Sequence, residues 1–167
     1  GNDHAATAVT YHKLALLYAG MNQLDKAETY EKNSMDLFWK NFGDASPASG
    51  SVTSSLAHIY ELKQKNTEAF SMYANDDRIQ QKILNRNFSF MSGEEKEKFI
   101  ASVNIYGDMF HSFALTFGEK DNKAWGMAYD HALRDKGMLF RSDARMRQVV
   151  TTSRDTSLAS LYETWNR

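Results

Sequence analysis

The sequence predicts an all-α protein, and three observations lead to that prediction. Apolar residues recur at helical spacing through most of the 167 residues. Proline occurs once, at Pro47, and helix-forming residues dominate the composition. A set of small and apolar residues recurs at one fixed offset in the first half of the chain, which is typical of stacked helical units.

Residues 14–30, LALLYAGMNQLDKAETY, form the first predicted element pair. Leu14, Ala15 and Tyr18 share one face of a helix, and Ala27 belongs to a second helical run. A polar break that begins at Gly20 separates the two runs. We therefore predict a helical hairpin in which the small Ala15 and Ala27 allow the two helices to approach closely.

The same pattern returns later in the chain at an offset of 42 residues. Leu14, Ala15, Tyr18 and Ala27 return as Leu56, Ala57, Tyr60 and Ala69. Asn22 and Asn66 lie where the two turns are predicted, and Pro47 suits the first turn of the third helix. The recurrence predicts a second hairpin like the first.

This pattern, L-A-x-x-Y followed by alanine nine residues after the tyrosine, resembles the tetratricopeptide repeat. The resemblance covers residues 5–45 and 47–86 and implies a first region, residues 1–87, with two such repeats forming an α-α superhelix. The unit is about eight residues longer than the usual repeat of roughly 34. Its linker from Gly43 to Pro47 is similar to that of a longer variant. A helical bundle without repeats is the alternative.

From Phe88 onwards this period is lost, and longer helices are predicted. Ser92 followed by Glu95 is a capping-box signature for a helix start. An aromatic seam follows at steps of four and three residues: Phe99, Val103, Tyr106, Phe110, Phe113 and Phe117. We interpret this seam as core packing within one helix.

Residues 118–122 predict a break, and residues 123–150 predict a second long helix. Its apolar residues occupy two sides, so we expect it to be buried on two sides. Asp155 or Thr156 would cap a last helix over residues 158–165.

The second half carries five sequence blocks in register: ILNRNFSFMSGEEKEKF, FHSFAL, AYDHALRDKGMLFRS, MRQVV and SRDTSLASLYETW. Over about residues 83–167 they resemble the helical segment that joins tetratricopeptide repeats to a caspase-like peptidase domain in bacterial TPR-CHAT proteins. The resemblance implies that residues 88–167 are a long-helix connector, packed with the repeats as one continuous α-superhelix. Ser142 and Asp143 stand where two small residues are expected, and the charged pair in ALRDKG also departs from the family pattern.

The resemblance also bears on enzymatic activity. In that family the catalytic His and Cys lie in the downstream peptidase domain, so the resemblance implies that this chain has no catalytic residues.

The chain begins at Gly1 without a methionine and ends inside a helical pattern. We expect a cut piece of a longer protein, with Gly1 left by cleavage. The compartment is undetermined: the cytoplasm is favoured, and a removed signal peptide remains open.

Composition limits the remaining function classes. Net charge is -1, which gives no global signal for nucleic acid or an anionic membrane. No apolar run approaches the roughly 20 residues that a membrane span needs. The chain has no cysteine, which excludes a disulfide framework and a cysteine nucleophile.

Motifs for metal or cofactor chemistry are weak. His131 and Asp135 are four residues apart, and Asp108 and His111 are three apart. A zinc site needs three or four ligands, so we interpret these as surface or capped histidines. Neither a G-x-S-x-G motif nor a phosphate-binding loop occurs. We expect no metal and no cofactor.

A binding groove is predicted if the repeats stack, because the first helix of each unit then lines the concave side. Counting Leu14 as the seventh position of its repeat gives the groove residues His12, Lys13, Leu16, Ser54, His58 and Glu61. These residues predict a protein or peptide partner. Lys13 is the only cation among them, so a clamp for a peptide carboxylate is not favoured.

A basic docking surface is the other candidate. Residues 134–154 carry six basic side chains against two acidic ones, a net charge of +4. The docking residues are Arg134, Lys136, Arg141, Arg145 and Arg147. Nucleic acid favours such a strip, but aromatic residues are not interleaved with it apart from Phe140. A solvated or domain-facing surface is the favoured interpretation, and in TPR-CHAT proteins it would face the peptidase domain.

The resemblance implies a regulatory function for the chain. The module would recognise a protein partner and position or control a caspase-like peptidase domain in cis. A structural scaffold or spacer without a switch is the alternative. A stand-alone enzyme would need a deep polar pocket, which nothing in the sequence predicts. Exposed Trp or Phe residues in the last helix would also allow the isolated chain to form a homodimer.

Overall fold

The computed structural model describes residues 2–88, 91, 93–103, 107–153 and 156–165, without some side chains of the later helices. Its regular secondary structure is helical throughout the described part, which confirms the all-α prediction. The described helices are α1 (Asn2–Gly20), α2 (Leu24–Phe42), α3 (Pro47–Leu62), α4 (Asn66–Asn87), α5 (Gly93–Val103), α6 (Gly107–Phe117), α7 (Asn122–Thr152) and α8 (Thr156–Trp165).

The first four helices form two hairpins that pack on each other. α1 packs against α2, α3 packs against α4, and α2 also contacts α3. α3 begins at Pro47, as predicted. The Ser46 side chain accepts a hydrogen bond of 3.1 Å from the backbone N–H of Ser49, so Ser46 is the N-cap and Pro47 occupies the first helical position.

The turn between α1 and α2 is closed by Asn22, which has a left-handed backbone with φ of 57°. The N–H of Asn22 donates to the carbonyl of Ala19 at 2.9 Å. The N–H of Gln23 donates to the carbonyl of Tyr18 at 2.8 Å. This pair of bonds is a Schellman motif, which satisfies carbonyl groups at the end of α1.

The turn between α3 and α4 repeats these bonds at the same offset of 42 residues. Gln64 has φ of 58°, and its N–H donates to the carbonyl of Glu61 at 2.8 Å. The N–H of Lys65 donates to the carbonyl of Tyr60 at 2.9 Å. The recurrence in the sequence is therefore also a recurrence of backbone geometry.

The recurring alanines are completely buried, which agrees with close helix packing in both hairpins. The four residues are Ala15, Ala27, Ala57 and Ala69. A small apolar cluster of Ala8, Phe38 and Val52 joins α1, α2 and α3. A larger cluster joins the second hairpin to α6 and α7, and includes Tyr60, Tyr73, Phe110, Phe113 and Ala124. One apolar core therefore spans the two predicted regions.

The α6–α7 pair has a packing pattern that the sequence reasoning missed. Phe113, Ala114 and Phe117 have the same spacing as Leu56, Ala57 and Tyr60. Phe113 and Ala114 are buried, and Ala124 on α7 is completely buried. The turn differs from the first two, because Asp121 Oδ1 accepts a hydrogen bond of 2.9 Å from the N–H of Lys123.

The long helices agree with most of the predicted boundaries. α7 covers the helix predicted over residues 123–150, and α8 covers that predicted over 158–165. α5 begins at Gly93 with Glu94 and Glu95 in its first turn. The predicted caps Ser92 and Asp155 lie outside the described residues. So do residues 104–106, on which the continuity of the helix predicted over the aromatic seam depends.

We expect Gln64→Gly to raise the free energy of unfolding by about 0.5–1 kcal/mol, measured by urea denaturation. A left-handed backbone strains a residue that has a Cβ, whereas glycine adopts it freely. Asn22→Gly is the matched control at the equivalent position, and its effect should be smaller because asparagine tolerates this conformation. A less stable Gln64→Gly variant would contradict this description of the turn.

Candidate functional site

The candidate site is a face formed by equivalent positions of α1 and α3, which contact each other. Leu16 on α1 and His58 on α3 are related by the offset of 42 residues. Leu16 is 50% exposed, and the His58 side chain is 43% exposed. Two of the predicted groove residues therefore occupy matching surface positions on successive hairpins.

Two further apolar side chains extend this surface. Val9 lies seven residues before Leu16 on α1, and Leu62 lies four residues after His58 on α3. Lys13, three residues before Leu16, adds a basic side chain. These spacings place each set on one side of its helix. Val9, Lys13 and Leu62 are exposed. We call Val9, Lys13, Leu16, His58 and Leu62 the α1–α3 face. Helical spacing from Leu16 and His58 could have identified Val9 and Leu62 from the sequence.

Glu61 lies beside this face and is held by α4. Its carboxylate accepts a hydrogen bond of 3.0 Å from the Tyr73 hydroxyl and lies 3.4 Å from His58 Nδ1. Burial and the nearby Glu61 carboxylate raise the pKa of Tyr73 above its ordinary value. Tyr73 therefore remains a hydrogen-bond donor and orients Glu61 next to His58.

Ser54 and His12 do not line an exposed surface as predicted. Ser54 is completely buried, and its hydroxyl donates to the carbonyl of Gly50 at 3.1 Å. His12 Nδ1 lies 2.8 Å from Glu31 Oε1, and the His12 side chain is largely buried against α2. Ser54 bonds to its own helix, and His12 bonds to Glu31 in the interior. These two equivalent positions therefore contribute to packing beneath the α1–α3 face.

Glu31 is a completely buried carboxylate at the junction of three helices. Burial raises its pKa, while hydrogen bonds to His12 and Ser55 oppose that rise. His12 belongs to α1, Glu31 to α2 and Ser55 to α3. The arrangement is therefore a buried structural link between the hairpins, and the sequence reasoning did not identify it.

A second buried carboxylate belongs to Asp76 on α4. Burial raises the pKa of Asp76 to about 6, against the opposing effect of hydrogen bonds to Ser54 and Gln80. The Gln80 amide donates to Asp76 Oδ1 at 3.1 Å. The negative charge of the neighbouring Asp77 raises the pKa further. Asp76 therefore lies beside Ser54 and Gln80 in the interior.

The predicted basic surface has one described side chain, that of Arg134. Its guanidinium donates a hydrogen bond to Asp77 Oδ1, which joins α7 to α4. Arg134 therefore contributes to internal packing. Lys136, Arg141, Arg145 and Arg147 belong to α7, but their side chains lie outside the described part of the chain.

Of the two interpretations of His131, as a surface or a capped histidine, the surface one is wrong. His131 is buried, and its Nε2 lies 3.9 Å from Asp77 Oδ1. Its ring packs edge-on against His111, with 5.1 Å between ring centroids. The two histidines that sequence spacing placed in separate pairs are therefore neighbours in the fold.

The described residues include several His, Asp and Glu side chains and several long helices. Among them, no group of three or more His, Asp or Glu side chains has an arrangement that could hold a metal ion. Of the helices in that part, none has the length and apolarity to cross a membrane.

No protein-family model and no curated protein matches this chain. The candidate site therefore has to be interpreted from its own geometry.

We expect Asp76→Asn to reduce the loss of stability that accompanies a rise in pH from 5 to 7.5. The folded-state pKa of about 6 exceeds the ordinary value of 3.8, so the folded chain binds more protons between these values. Stability is therefore lost as pH rises through about 6. The loss attributable to Asp76 over this interval is about 1 kcal/mol.

The measurement is urea unfolding of wild type and variant at both pH values. Asp36→Asn is the matched control, since Asp36 is exposed on α2. An Asp76→Asn profile identical to that of wild type would show that Asp76 does not titrate from the buried state.

Proposed function

We propose that this chain is a protein-recognition module made of two tetratricopeptide-like hairpins and a helical connector, and that it binds a protein or peptide partner through the α1–α3 face. The exposure of Leu16 carries the proposal. Val9 and Leu62 add exposed apolar surface on the same face, and clustered apolar side chains in solvent are typical of protein interaction sites. The repeated turns at Asn22 and Gln64 support the tetratricopeptide-like assignment.

The chemistry of the face favours a partner segment with apolar side chains. Leu16 and Leu62 offer apolar contacts, and the partly exposed imidazole of His58 offers a hydrogen bond at the centre. Tyr73 holds Glu61 beside His58, so this polar group has a defined position before a partner arrives. Preorganised groups reduce the entropy lost on binding.

The regulatory part of the proposal is that partner binding positions or controls a caspase-like peptidase domain in cis. It is based on the resemblance of residues 83–167 to the connector of bacterial TPR-CHAT proteins. Two contacts provide a physical route from the hairpins to the connector: the Arg134–Asp77 bond and the apolar core shared by α3, α4, α6 and α7. A partner would act as a switch only if it bound one conformation more tightly than another.

We expect a Leu16→Glu, His58→Glu double variant to lose a partner that wild type captures in pull-downs from the source cell. Both positions are accessible to solvent, so the new carboxylates should disrupt binding without unfolding the chain. Leu17→Glu is the matched control, because it places a carboxylate at another exposed leucine of α1, outside that face. Circular dichroism should show equal helicity for all three proteins. Equal capture by wild type and double variant would exclude the α1–α3 face as the site.

The switch and the scaffold alternative make different predictions about activity. If this module controls a peptidase domain, the captured partner should change the peptidase activity of the protein that carries both. Leu16→Glu, His58→Glu should abolish that response while leaving basal activity unchanged. A partner that binds without changing peptidase activity would refute the regulatory part and favour a scaffold.

A further inference from the structure

The position of Leu16 and His58 on the α1–α3 face recurs on a third helix. In each case a solvent-accessible residue directly follows a buried alanine. The pairs are Ala15–Leu16 on α1, Ala57–His58 on α3 and Ala114–Leu115 on α6. Leu115 is 73% exposed. Leu16, His58 and Leu115 therefore occupy one equivalent position on three helices.

α6 follows α3 in the stack of helices with its buried alanine side turned inwards. Glu31 on α2 hydrogen-bonds to Ser55 on α3. Tyr73, at the equivalent position on α4, packs against Phe113 on α6 with 5.1 Å between ring centroids. Phe113 and Ala114 also share one apolar cluster with residues of α3. The side of α6 opposite this cluster, which carries Leu115, faces solvent.

This line of positions lies outside the surfaces through which the hairpins stack. α3 contacts both α2 and α4. The His58 side chain is nevertheless 43% exposed, and Leu62 is 45% exposed. A helix that stacks beside a hairpin therefore leaves this position open to solvent.

The charge of the surface changes sign along the line. Lys13 is exposed at the α1 end, three residues before Leu16. At the α6 end Asp108 and Glu119 are exposed, and they take the positions relative to Leu115 that Val9 and Leu62 have on the α1–α3 face. With the exposed neighbour Lys120, the α6 end has a net charge of -1. The surface is thus basic at one end, apolar in between and acidic at the other end.

We propose that the α1–α3 face continues onto α6 and binds an extended segment of a partner protein, with an acidic side chain at the α1 end and a basic side chain at the α6 end. This inference rests on the proposed function and specifies the chemistry of its partner. Charge complementarity sets the two ends, and apolar side chains of the segment contact Leu16 and Leu115. An extended backbone keeps its polar groups free to hydrogen-bond with His58 between them.

The dimensions of packed helices set the length of the segment. Axes of packed helices lie about 8–10 Å apart, so three helices in a row span about 16–20 Å. An extended chain rises about 3.3 Å per residue, so the two apolar side chains of the segment are about six residues apart.

The test uses three labelled synthetic peptides with one common core, in which two leucines are six residues apart and an asparagine lies midway. The mixed-charge peptide has aspartates at one end and lysines at the other. The second peptide has aspartates at both ends, and the third has lysines at both ends. Fluorescence anisotropy with the full 167-residue chain should show the tightest binding for the mixed-charge peptide.

Single charge reversals in the chain should change this order. Lys13→Glu makes the α1 end acidic, so the peptide with lysines at both ends should then bind tightest. Glu119→Lys leaves a net charge of +1 at the α6 end, so the peptide with aspartates at both ends should then bind tightest. Each reversal should change relative affinities by about threefold, as expected for exposed charge pairs. Lys40→Glu, at an exposed position on α2, is the control and should preserve the order.

Leu115→Glu separates this inference from the proposed function. It should weaken binding of the mixed-charge peptide by about tenfold or more, because it places a carboxylate in an apolar contact. Leu17→Glu should leave that binding unchanged, and circular dichroism should show equal helicity for all variants. Weaker binding with Leu16→Glu but not with Leu115→Glu would leave the α1–α3 face as the site and overturn its extension onto α6.

Two other results would overturn the inference. The first is that none of the three peptides shows saturable binding to the chain. The second is equal binding of all three peptides, which would show that the charges at the two ends do not select the partner. In both cases the pull-down with the Leu16→Glu, His58→Glu variant still decides the proposed function.

Discussion

The buried carboxylate of Glu31 is the constraint on which the arrangement of the first three helices depends. A completely buried carboxylate costs several kcal/mol unless polar groups compensate it. Its compensating groups come from two other helices, His12 on α1 and Ser55 on α3. A shift of either helix would remove one of these two partners. The register in which the hairpins stack is therefore specified by a polar contact as well as by apolar packing.

The second hairpin has the same turns and buried alanines as the first, but its other buried side chains differ. The turns and the buried alanines recur, so the backbone path is conserved between the two units. Tyr73 stands at the position of Glu31, and Asp76 stands at that of Ser34. These differences follow from the neighbours. Glu31 of the first hairpin hydrogen-bonds to the small polar Ser55, whereas Tyr73 of the second packs against the aromatic rings of Phe110 and Phe113.

The link from Glu31 to His12 also sets the orientation of α1, and with it the side of α1 that contributes to the α1–α3 face. With His12 turned inwards, Leu16 lies on the α1–α3 face and Leu17 lies about 100° away around the helix. Both leucines are exposed. The Arg134–Asp77 bond and the shared aromatic core connect the hairpins to the long helices.

Local features of the sequence determined the helical class and most helix boundaries. Asn22 and Pro47 act through the backbone geometry of their own turns, so their effects can be read without the fold. The offset of 42 residues was sufficient to place Leu16 and His58 at equivalent surface positions.

The burial of the polar groups, and the exposure of one side of α1, were decided by the tertiary structure. The sequence predicts Ser54 and His12 in an exposed groove, but Ser54 is buried with its hydroxyl bonded to Gly50, and His12 turns to Glu31 on α2. His131 was assigned to the surface or to a cap, and its burial between α4 and α6 depends on the packing of those helices. α1 carries apolar residues around most of its circumference, so periodicity could not distinguish its core side from its exposed side. Only the position of α2 relative to α1 and α3 makes that distinction, because the same helical position is covered in one hairpin and exposed in the other.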